Sequence, residues 1–283
     1  MRMVGLILLM ALVVAPAAPG LAQVLTVDVH AHRGGAGLAP ENTLAAIRNA
    51  LSLSVDMIEL DLHVSADGAI VVIHDATLER TTNGRGVVRG TSLADLQRLD
   101  AGAWFNARFA GERIPTLREV LDAIRASGND RVRLNLETKY DTRGPAPPAE
   151  FEAHLLQILR EAGWRDRVII QSFHYPSLER LKGLDHAVTT AALRSPLSPT
   201  LDPVGLMRSA KADIYSPGAS LVSRDVVEAL HRAGIPVVPW TVNQPSAMEM
   251  MLSMGIGMLR GDGIITDYPD RLIQVLRSRG IRR

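Results

Sequence analysis

The chain has 283 residues, of which 47% are hydrophobic, and it carries 31 basic and 30 acidic side chains. This length and apolar content suffice to bury a core of barrel size, and the nearly balanced charge argues against a general nucleic-acid binder. The sequence contains no cysteine, which excludes disulfides, thiolate metal sites and a cysteine nucleophile.

The first residues have the pattern of a secretory signal peptide. Arg2 gives a positive start, an apolar run follows at 3–14, and small residues lead up to Ala22. Because this run is too short to span a bilayer comfortably, we expect cleavage after Ala22 and no stable membrane insertion of the mature chain. The pattern predicts a signal peptide over 1–22 and an exported bacterial protein, periplasmic or secreted, with one domain over 23–283. The alternative is an uncleaved membrane anchor.

Short apolar, β-branched runs alternate with longer amphipathic stretches along the rest of the chain. The strand-like runs are 25–31, 57–64, 69–74, 133–137, 167–172, 187–193, 212–215, 235–242 and 263–266. The helix-like stretches are 43–53, 92–99, 117–127, 149–162, 177–182, 223–233, 246–254 and 268–279. Strands that alternate with helices form parallel sheets covered by helices, and this length favours an α/β fold of the (β/α)8 barrel type.

Nine strand-like runs are one more than such a barrel needs, and the stretch HVSADGAIVVIHD accounts for the difference. Asp67-Gly68 is a two-residue hairpin signal, and the connection is too short for a parallel crossover. We therefore expect a short hairpin near the second strand, with Asp61 opposite His74. Residues 76–115 are rich in Thr, Gly and Arg, and they predict a small loop-and-helix excursion over one mouth of the barrel.

Three carboxylates lie at the ends of strand-like runs. Glu59 and Asp61 are two residues apart in MIELDLH, so they face the same side of a strand, and Glu137 ends the run RLNLE. Like charges that face into a barrel mouth are tolerable when a cation lies between them. Carboxylate oxygens without thiolates favour one hard divalent cation, Ca²⁺ or Mg²⁺. The alternative is a solvated strand end.

Two histidines also end strand-like runs and are the candidate proton-transfer groups. His32 is followed by Arg33 and two glycines that let the backbone approach a ligand closely, and His74 is followed by an aspartate. Two histidines that face one phosphorus can act as general acid and base, and an arginine suits two-point contact with phosphate. Lys139 would add positive charge to the same pocket, or form a surface salt bridge with Glu137 of little energetic value.

Four further residues carry weaker signals. His30 shares the strand face of His32 one layer deeper, and we interpret it as a buried neutral histidine, the alternative being a partner that supports a site residue. Trp240 ends a strand-like run, where an aromatic ring can cover an apolar or glycerol-like group, and Phe173 ends another. Asp267 follows the last strand-like run and is predicted to cap the next helix.

Taken together, these motifs resemble the glycerophosphodiester phosphodiesterase family. The matching stretches, in family order, are AHRGG, PENT, IELDLH, DGAIVVIHDATLERTTNG, IPTLREVL, LNLETK, QSF, WTVN and DGIITDYP. They cover most of 30–272, and the set is specific although the single pieces are not. The resemblance implies a barrel of the TIM type and a divalent cation, usually Ca²⁺ or Mg²⁺.

The resemblance also implies roles for the candidate residues. It implies that the catalytic pair is His32 and His74. It implies that the metal ligands are Glu59, Asp61 and Glu137. It implies that Arg33 and Lys139 contact phosphate, and substrate binding is further assigned to Phe173 and Trp240. The family position that matches His30 is commonly aliphatic, which leaves the role of this histidine open.

The predicted function is metal-dependent hydrolysis of glycerophosphodiesters, the deacylated phospholipids, to sn-glycerol 3-phosphate and an alcohol. The predicted partner is this small-molecule substrate, with no nucleic acid. One alternative is a related barrel phosphodiesterase that cuts intact lipid, like a phospholipase or sphingomyelinase. Another is an exported protein that binds glycerophosphodiesters without catalysis. The sequence leaves open the head group, the choice of cation, the nucleophile, the acid and base assignment and the oligomeric state.

Overall fold

The computed structural model describes residues 26–140, 147–197 and 202–281, so the predicted signal peptide at 1–22 lies outside the described residues. The strands are β1 (Asp28–Ala31), β2 (Met57–Val64), β3 (Ile70–Val72), β4 (Arg133–Thr138), β5 (Val168–Ser172), β6 (Thr189–Arg194), β7 (Ile214–Pro217) and β8 (Gly263–Thr266). The α-helices are α1 (Leu44–Ser52), α2 (Leu93–Leu96), α3 (Leu117–Ala126), α4 (Phe151–Glu161), α5 (Tyr175–Leu184), α6 (Pro203–Ala210), α7 (Arg224–Arg232), α8 (Pro245–Ser253) and α9 (Pro269–Ser278).

All strands except β3 run parallel, in the order β7-β6-β5-β4-β2-β1-β8. An extended segment, 236–242, lies between β7 and β8 and closes the barrel. Val238 N donates to Tyr215 O at 2.9 Å on one side, and Ile265 N donates to Pro239 O at 3.0 Å on the other. Prolines such as Pro239 lack an N–H, so this segment cannot form a regular ladder. The predicted (β/α)8 barrel is confirmed.

The predicted hairpin is present, because β3 pairs antiparallel with β2. Its predicted register was wrong by one residue: Ile73, not His74, is opposite Asp61, and Ile73 N donates to Asp61 O at 3.0 Å. The loop has three residues rather than two and ends at Gly68, which adopts a φ of +88°. A left-handed third residue is typical of such loops, and it shifts every pairing along the hairpin.

Helix α6 was not predicted from the sequence, although a barrel needs a helix between β6 and β7. Its beginning carries a recognisable signal. The side chain of Asp202 accepts hydrogen bonds from the N–H groups of Val204 and Gly205, and Pro203 occupies the first turn. A glycine and two prolines near this start obscured the apolar period of the helix.

The excursion at 76–115 folds against the outer side of the hairpin. It contains α2 and two short 3₁₀ segments, and buried Leu78, Leu96 and Ile114 pack against Val71 in a small apolar cluster. Because this cluster also includes Ile73 of the hairpin, the excursion packs directly against the barrel. Among the residues described, every helix is too short or too polar to span a bilayer.

The inside of the barrel has two layers of different character. Apolar side chains, including Met57 from β2 and Ile265 from β8, fill the lower layer. Glu59 and Asp61 follow Met57 at intervals of two along β2, so they face the same interior nearer the carboxyl ends of the strands. This alternation places the carboxylates at the end of the barrel where such folds build their sites.

Candidate active site

A cavity of about 250 Å³ opens at the carboxyl ends of the barrel strands. All the site residues predicted from the sequence line it except Asp61, which lies buried beneath it. These residues lie on β1 to β5 or just after them and on the extended segment 236–242, and closure of the barrel brings them together. The predicted convergence is therefore present in the structure.

Three buried carboxylates cluster at the floor of the cavity, where Glu59 and Glu137 line it and Asp61 lies beneath them. Asp61 on β2 pairs with Glu137 on β4, and oxygens of these two side chains and Glu59 all lie within 4.8 Å of one another. Burial and the nearby charge of Asp61 raise the pKa of Glu59 to about 8. Burial also raises the pKa of Glu137, although Lys139 opposes this effect. A close set of carboxylate oxygens whose charges disfavour one another fits a hard divalent cation.

Lys139 is buried rather than on the surface, which contradicts the alternative of a weak exposed salt bridge. Its side chain is 12% exposed, and Nζ lies 2.6 Å from Glu137 Oε1 and 3.0 Å from Asp61 Oδ1. Burial would raise the pKa of Asp61, but the charges of Lys139, His74 and Arg33 outweigh it and hold the pKa well below its usual range. Asp61 is thus ionised and already partly compensated by cationic side chains.

His32 is anchored by a carboxylate from the other end of the chain. Its Nδ1 donates to Asp267 Oδ1 at 2.6 Å, and Asn243 Nδ2 donates to the second oxygen of Asp267 at 2.6 Å. The other ring nitrogen, Nε2, lies 3.9 Å from Glu59. Burial lowers the pKa of His32, but the hydrogen bond to Asp267 and the charge of Glu59 outweigh this effect and leave it above its ordinary value.

His74 is anchored by its own neighbour in the chain. Its Nδ1 donates to Asp75 Oδ1 at 2.6 Å, and its carbonyl oxygen lies 3.1 Å from Nε2 of the buried His63. Burial lowers the pKa of His74, and the attraction of Asp61 and Asp75 does not restore it to the ordinary value. The two histidines that face the cavity are therefore shifted in opposite directions.

The turn after β1 holds Arg33 in a rare backbone conformation. Arg33 has a φ of +52°, and its N–H donates to Glu59 Oε2 at 2.9 Å. Its Nη1 donates to Glu41 at 2.8 Å, and its Nε lies 3.5 Å from Asp61. The next residue, Gly34, faces α1, where a Cβ would lie 2.7 Å from the side chain of Ala46. This glycine is therefore required by helix packing, as well as by its φ of +83°.

An aromatic wall closes one side of the cavity. The rings of Phe173 and Trp240 meet edge to face, with centroids 5.5 Å apart. Trp240 Nε1 donates to the carbonyl of Ser216 at 2.9 Å, which fixes the indole ring. Leu193 and Ile265 add apolar surface beside it. The cavity thus has one charged side and one apolar side.

His30 lies below the site and does not line the cavity. It is fully buried, and burial lowers its pKa to about 4, so it is neutral. Asn135 Nδ2 lies 3.5 Å from His30 Nδ1 and donates to Gln171 Oε1 at 3.0 Å. Gln171 in turn donates to Glu59 Oε1 at 2.9 Å. The interpretation of His30 as a buried neutral histidine agrees with this placement.

Several residues contact the site in ways that the sequence did not predict. Asp267 was predicted to cap α9, but its side chain makes no cap hydrogen bond and holds His32 instead. Glu41 and Asn42 lie in the PENT motif, where Asn42 Nδ2 donates to Asp61 at 2.8 Å, and Arg80 lies in the excursion. The motifs were visible, but the contacts were not, because the partners are distant in sequence.

Comparisons with known proteins agree with this geometry. Residues 32–271 match the model of the glycerophosphoryl diester phosphodiesterase family. A glycerophosphodiester phosphodiesterase of Caldanaerobacter subterraneus subsp. tengcongensis is 37% identical over 252 residues, which cover 89% of this chain and 98% of that protein. One of Bacillus altitudinis is 34% identical over 255 residues, which cover 87% and 97%.

A solved structure gives the same result in three dimensions. A phosphodiesterase of Oleispira antarctica, in complex with the product sn-glycerol-3-phosphate, superposes with a TM-score of 0.78 at 30% identity. The match covers 89% of this chain and 97% of that one. The chain therefore belongs to the glycerophosphoryl diester phosphodiesterase family of enzymes.

Proposed function

We propose that this protein hydrolyses glycerophosphodiesters to sn-glycerol 3-phosphate and a free alcohol in the cavity at the carboxyl end of the barrel. One observation carries the proposal. His32 and His74 both line the cavity, each with Nδ1 hydrogen-bonded to a carboxylate, and the buried carboxylate cluster lies at the floor of this cavity. Two oriented imidazoles beside a candidate cation site suit acid–base chemistry at a phosphodiester.

In this proposal Glu59, Asp61 and Glu137 hold one divalent cation, Ca²⁺ or Mg²⁺. Their donor atoms are all oxygens, which these cations prefer, and the raised pKa values of the two glutamates indicate negative charge that needs compensation. Such a cation would offset negative charge on the phosphate and lower the pKa of a nearby hydroxyl.

The remaining cavity residues bind and orient the substrate. Arg33 and Lys139 contribute the positive charge that attracts a phosphodiester, and both already lie against the carboxylates. Phe173 and Trp240 offer an apolar surface to the carbon face of the glycerol group. The charged and apolar sides of the cavity thus match the two ends of a glycerophosphate.

His32 is the general acid that protonates the leaving alcohol, and His74 is the general base that takes the proton of the nucleophile. This nucleophile is either water or the 2-hydroxyl of the glycerol group, in which case water then opens the resulting cyclic phosphate. In each ring Nδ1 is engaged by a carboxylate, so Nε2 is the nitrogen that transfers the proton. The opposite pKa shifts support this assignment, because an acid must be protonated and a base neutral at the working pH.

A matrix of metals and substrates tests the proposal. Purified protein is treated with EDTA, supplied with Ca²⁺, Mg²⁺ or neither, and assayed for sn-glycerol 3-phosphate release from glycerophosphocholine and glycerophosphoethanolamine. We expect release that EDTA abolishes and one of the two cations restores. Glu137→Gln should lose this response, whereas the exposed Asp122→Asn should keep it.

Other results would favour other functions. Cleavage of intact phospholipid vesicles in preference to deacylated substrate would favour the lipid-cutting alternative. Binding of glycerophosphocholine without product release under any metal condition would favour a binding protein and contradict the proposal.

We also propose that the protein is exported and that residues 23–283 form its mature catalytic domain. The pattern of 1–22 supports export, and the family match begins after it, at residue 32. Amino-terminal sequencing of the protein recovered from the periplasm or medium should begin at Gln23. Recovery of the uncleaved chain in the membrane fraction would contradict this.

A further inference from the structure

Arg80 stands between two carboxylates at the rim of the cavity. Its Nη1 and Nη2 donate to the two oxygens of Glu41, each at 2.8 Å. Its Nε and Nη2 also donate to the two oxygens of Asp75, at 2.7 and 2.9 Å. One guanidinium group therefore binds two carboxylates at once, each through two hydrogen bonds, a geometry that suits arginine and not lysine.

Each carboxylate continues to a residue that lines the cavity. Glu41 Oε1 accepts from Arg33 Nη1 at 2.8 Å, and Asp75 Oδ1 accepts from His74 Nδ1 at 2.6 Å. Hydrogen bonds therefore connect Arg33 to His74 through Glu41, Arg80 and Asp75, and these five residues form one hydrogen-bond network. Arg80 itself does not line the cavity.

Arg80 is the most exposed member of this hydrogen-bond network. Glu41 is 8% exposed and Asp75 is 22% exposed, but Arg80 is 44% exposed. A single ion pair with an exposed partner contributes little to folding stability, whereas two-point arginine–carboxylate pairs within a network can contribute more. The excursion that carries Arg80 already packs through its own apolar cluster, which includes the neighbouring Leu78. In addition to any stability that it adds, this arginine fixes the side-chain geometry of Glu41 and Asp75.

We propose that Arg80 is a positioning residue. Through Glu41 and Asp75 it fixes the orientations of the phosphate-facing Arg33 side chain and of the His74 ring. The proposal rests on the function proposed above for the same cavity. Without Arg80, Asp75 loses the partner that fixes its rotamer, and His74 loses the acceptor that selects its Nδ1–H tautomer. Glu41 is then free to turn, and Arg33 with it.

The two sides of this hydrogen-bond network, one through Glu41 and one through Asp75, predict different kinetic effects. Glu41→Gln should mainly raise KM, because Arg33 meets the substrate phosphate, and Asp75→Asn should mainly lower kcat, because His74 transfers a proton. Arg80→Ala should do both and lower kcat/KM by about 10- to 100-fold, in the range for partners of catalytic groups. Arg80→Lys should recover less than about threefold of this loss, because an ammonium group cannot bind both carboxylates through two bonds each.

Double-mutant cycles and a matched control test the inference. In a background that already carries both Glu41→Gln and Asp75→Asn, Arg80→Ala should cost less than about twofold, because the residues act as a unit. Arg98→Ala removes an exposed arginine of the same excursion that pairs with Asp95, and it should leave kcat and KM unchanged. Thermal melting of each variant separates these effects from loss of fold.

The tautomer of His74 provides a readout that does not depend on turnover. In ¹⁵N NMR spectra, assigned with a His74→Gln variant, the wild-type ring should carry its proton on Nδ1, and Arg80→Ala should mix the two tautomers. Additive kinetic effects with an unchanged tautomer would overturn the inference. A mixed tautomer in Arg80→Ala, together with a wild-type protein that cleaves no glycerophosphodiester, would support the positioning and instead overturn the proposed function.

Discussion

Two histidine–aspartate pairs flank the same strand, β8, at opposite ends of the barrel. Asp262 precedes β8 and lies 3.0 Å from His231, and Asp267 follows β8 and lies 2.6 Å from His32. The side chains of both histidines are 16% exposed, so burial of the imidazole does not distinguish the pairs. The difference lies in the aspartates, which are 0% and 23% exposed respectively.

The lower pair, Asp262 and His231 at the amino end of β8, is held by hydrogen bonds from backbone N–H groups. Asp262 accepts hydrogen bonds from the N–H groups of Val237, Gly257 and Leu259, at 2.8, 2.8 and 3.2 Å. These donors belong to the segment that closes the barrel and to the loop before β8. A carboxylate used in this way ties chain segments together and has no capacity left for chemistry.

The upper pair, Asp267 and His32 at the carboxyl end of β8, instead borders the cavity through His32. Asp267 accepts from the side chains of His32 and Asn243, and the free edge of the His32 ring is directed toward Glu59. The same two residue types thus hold the fold together at one end and orient a proton-transfer group at the other. Position relative to the strand direction decides between these roles, as it does in barrels generally.

The largest effect on kcat/KM should come from removing His32, the histidine of the upper pair. We expect His32→Ala to lower kcat/KM by about 10²- to 10⁴-fold, because it removes the proposed general acid. The matched variant His231→Ala should leave kcat/KM within about twofold, because its imidazole pairs with Asp262 and does not line the cavity. Steady-state kinetics on glycerophosphocholine check both, and near-normal turnover by His32→Ala would contradict the assigned role.

The next effect concerns stability rather than rate. We expect Asp262→Ala to lower the free energy of unfolding by roughly 3 kcal/mol or more, because buried N–H donors lose their acceptor. Denaturant titration measures the change, with Asp267→Ala as the comparison that should lose much less. If both variants lost the same stability, the distinction between the two ends would be wrong.

The smallest effect should be a displacement of the pH profile. Asp267 raises the pKa of His32, so Asp267→Asn should lower it, and an acid with a lower pKa loses its proton at lower pH. The alkaline limb of kcat/KM should therefore move to lower pH, while the acidic limb, assigned to His74, stays in place. We expect activity near neutral pH to fall about tenfold. An unchanged alkaline limb would show that another group controls it.

Short-range patterns in the sequence predicted most of the fold and the composition of the site. Alternation along β2 placed Glu59 and Asp61 on one face of the strand. A ninth strand-like run, one more than the barrel needs, predicted the hairpin. The register of that hairpin failed because one residue in the loop changes every pairing beyond it. Helix α6 was missed because its glycine and its first-turn proline weaken the periodic signal, although Asp202 and Pro203 mark its beginning.

The amino-acid sequence by itself determined which residue types reach the mouth of the barrel, because the period of a strand and the length of a connection are local properties. Only the tertiary structure decided their partners. His32 and Asp267 are 235 positions apart and meet because β1 pairs with β8 when the barrel closes. Glu41 and Arg80 are 39 positions apart and meet because the excursion folds back over the first turn. Contacts of this kind depend on how elements pack, and no local period encodes that packing.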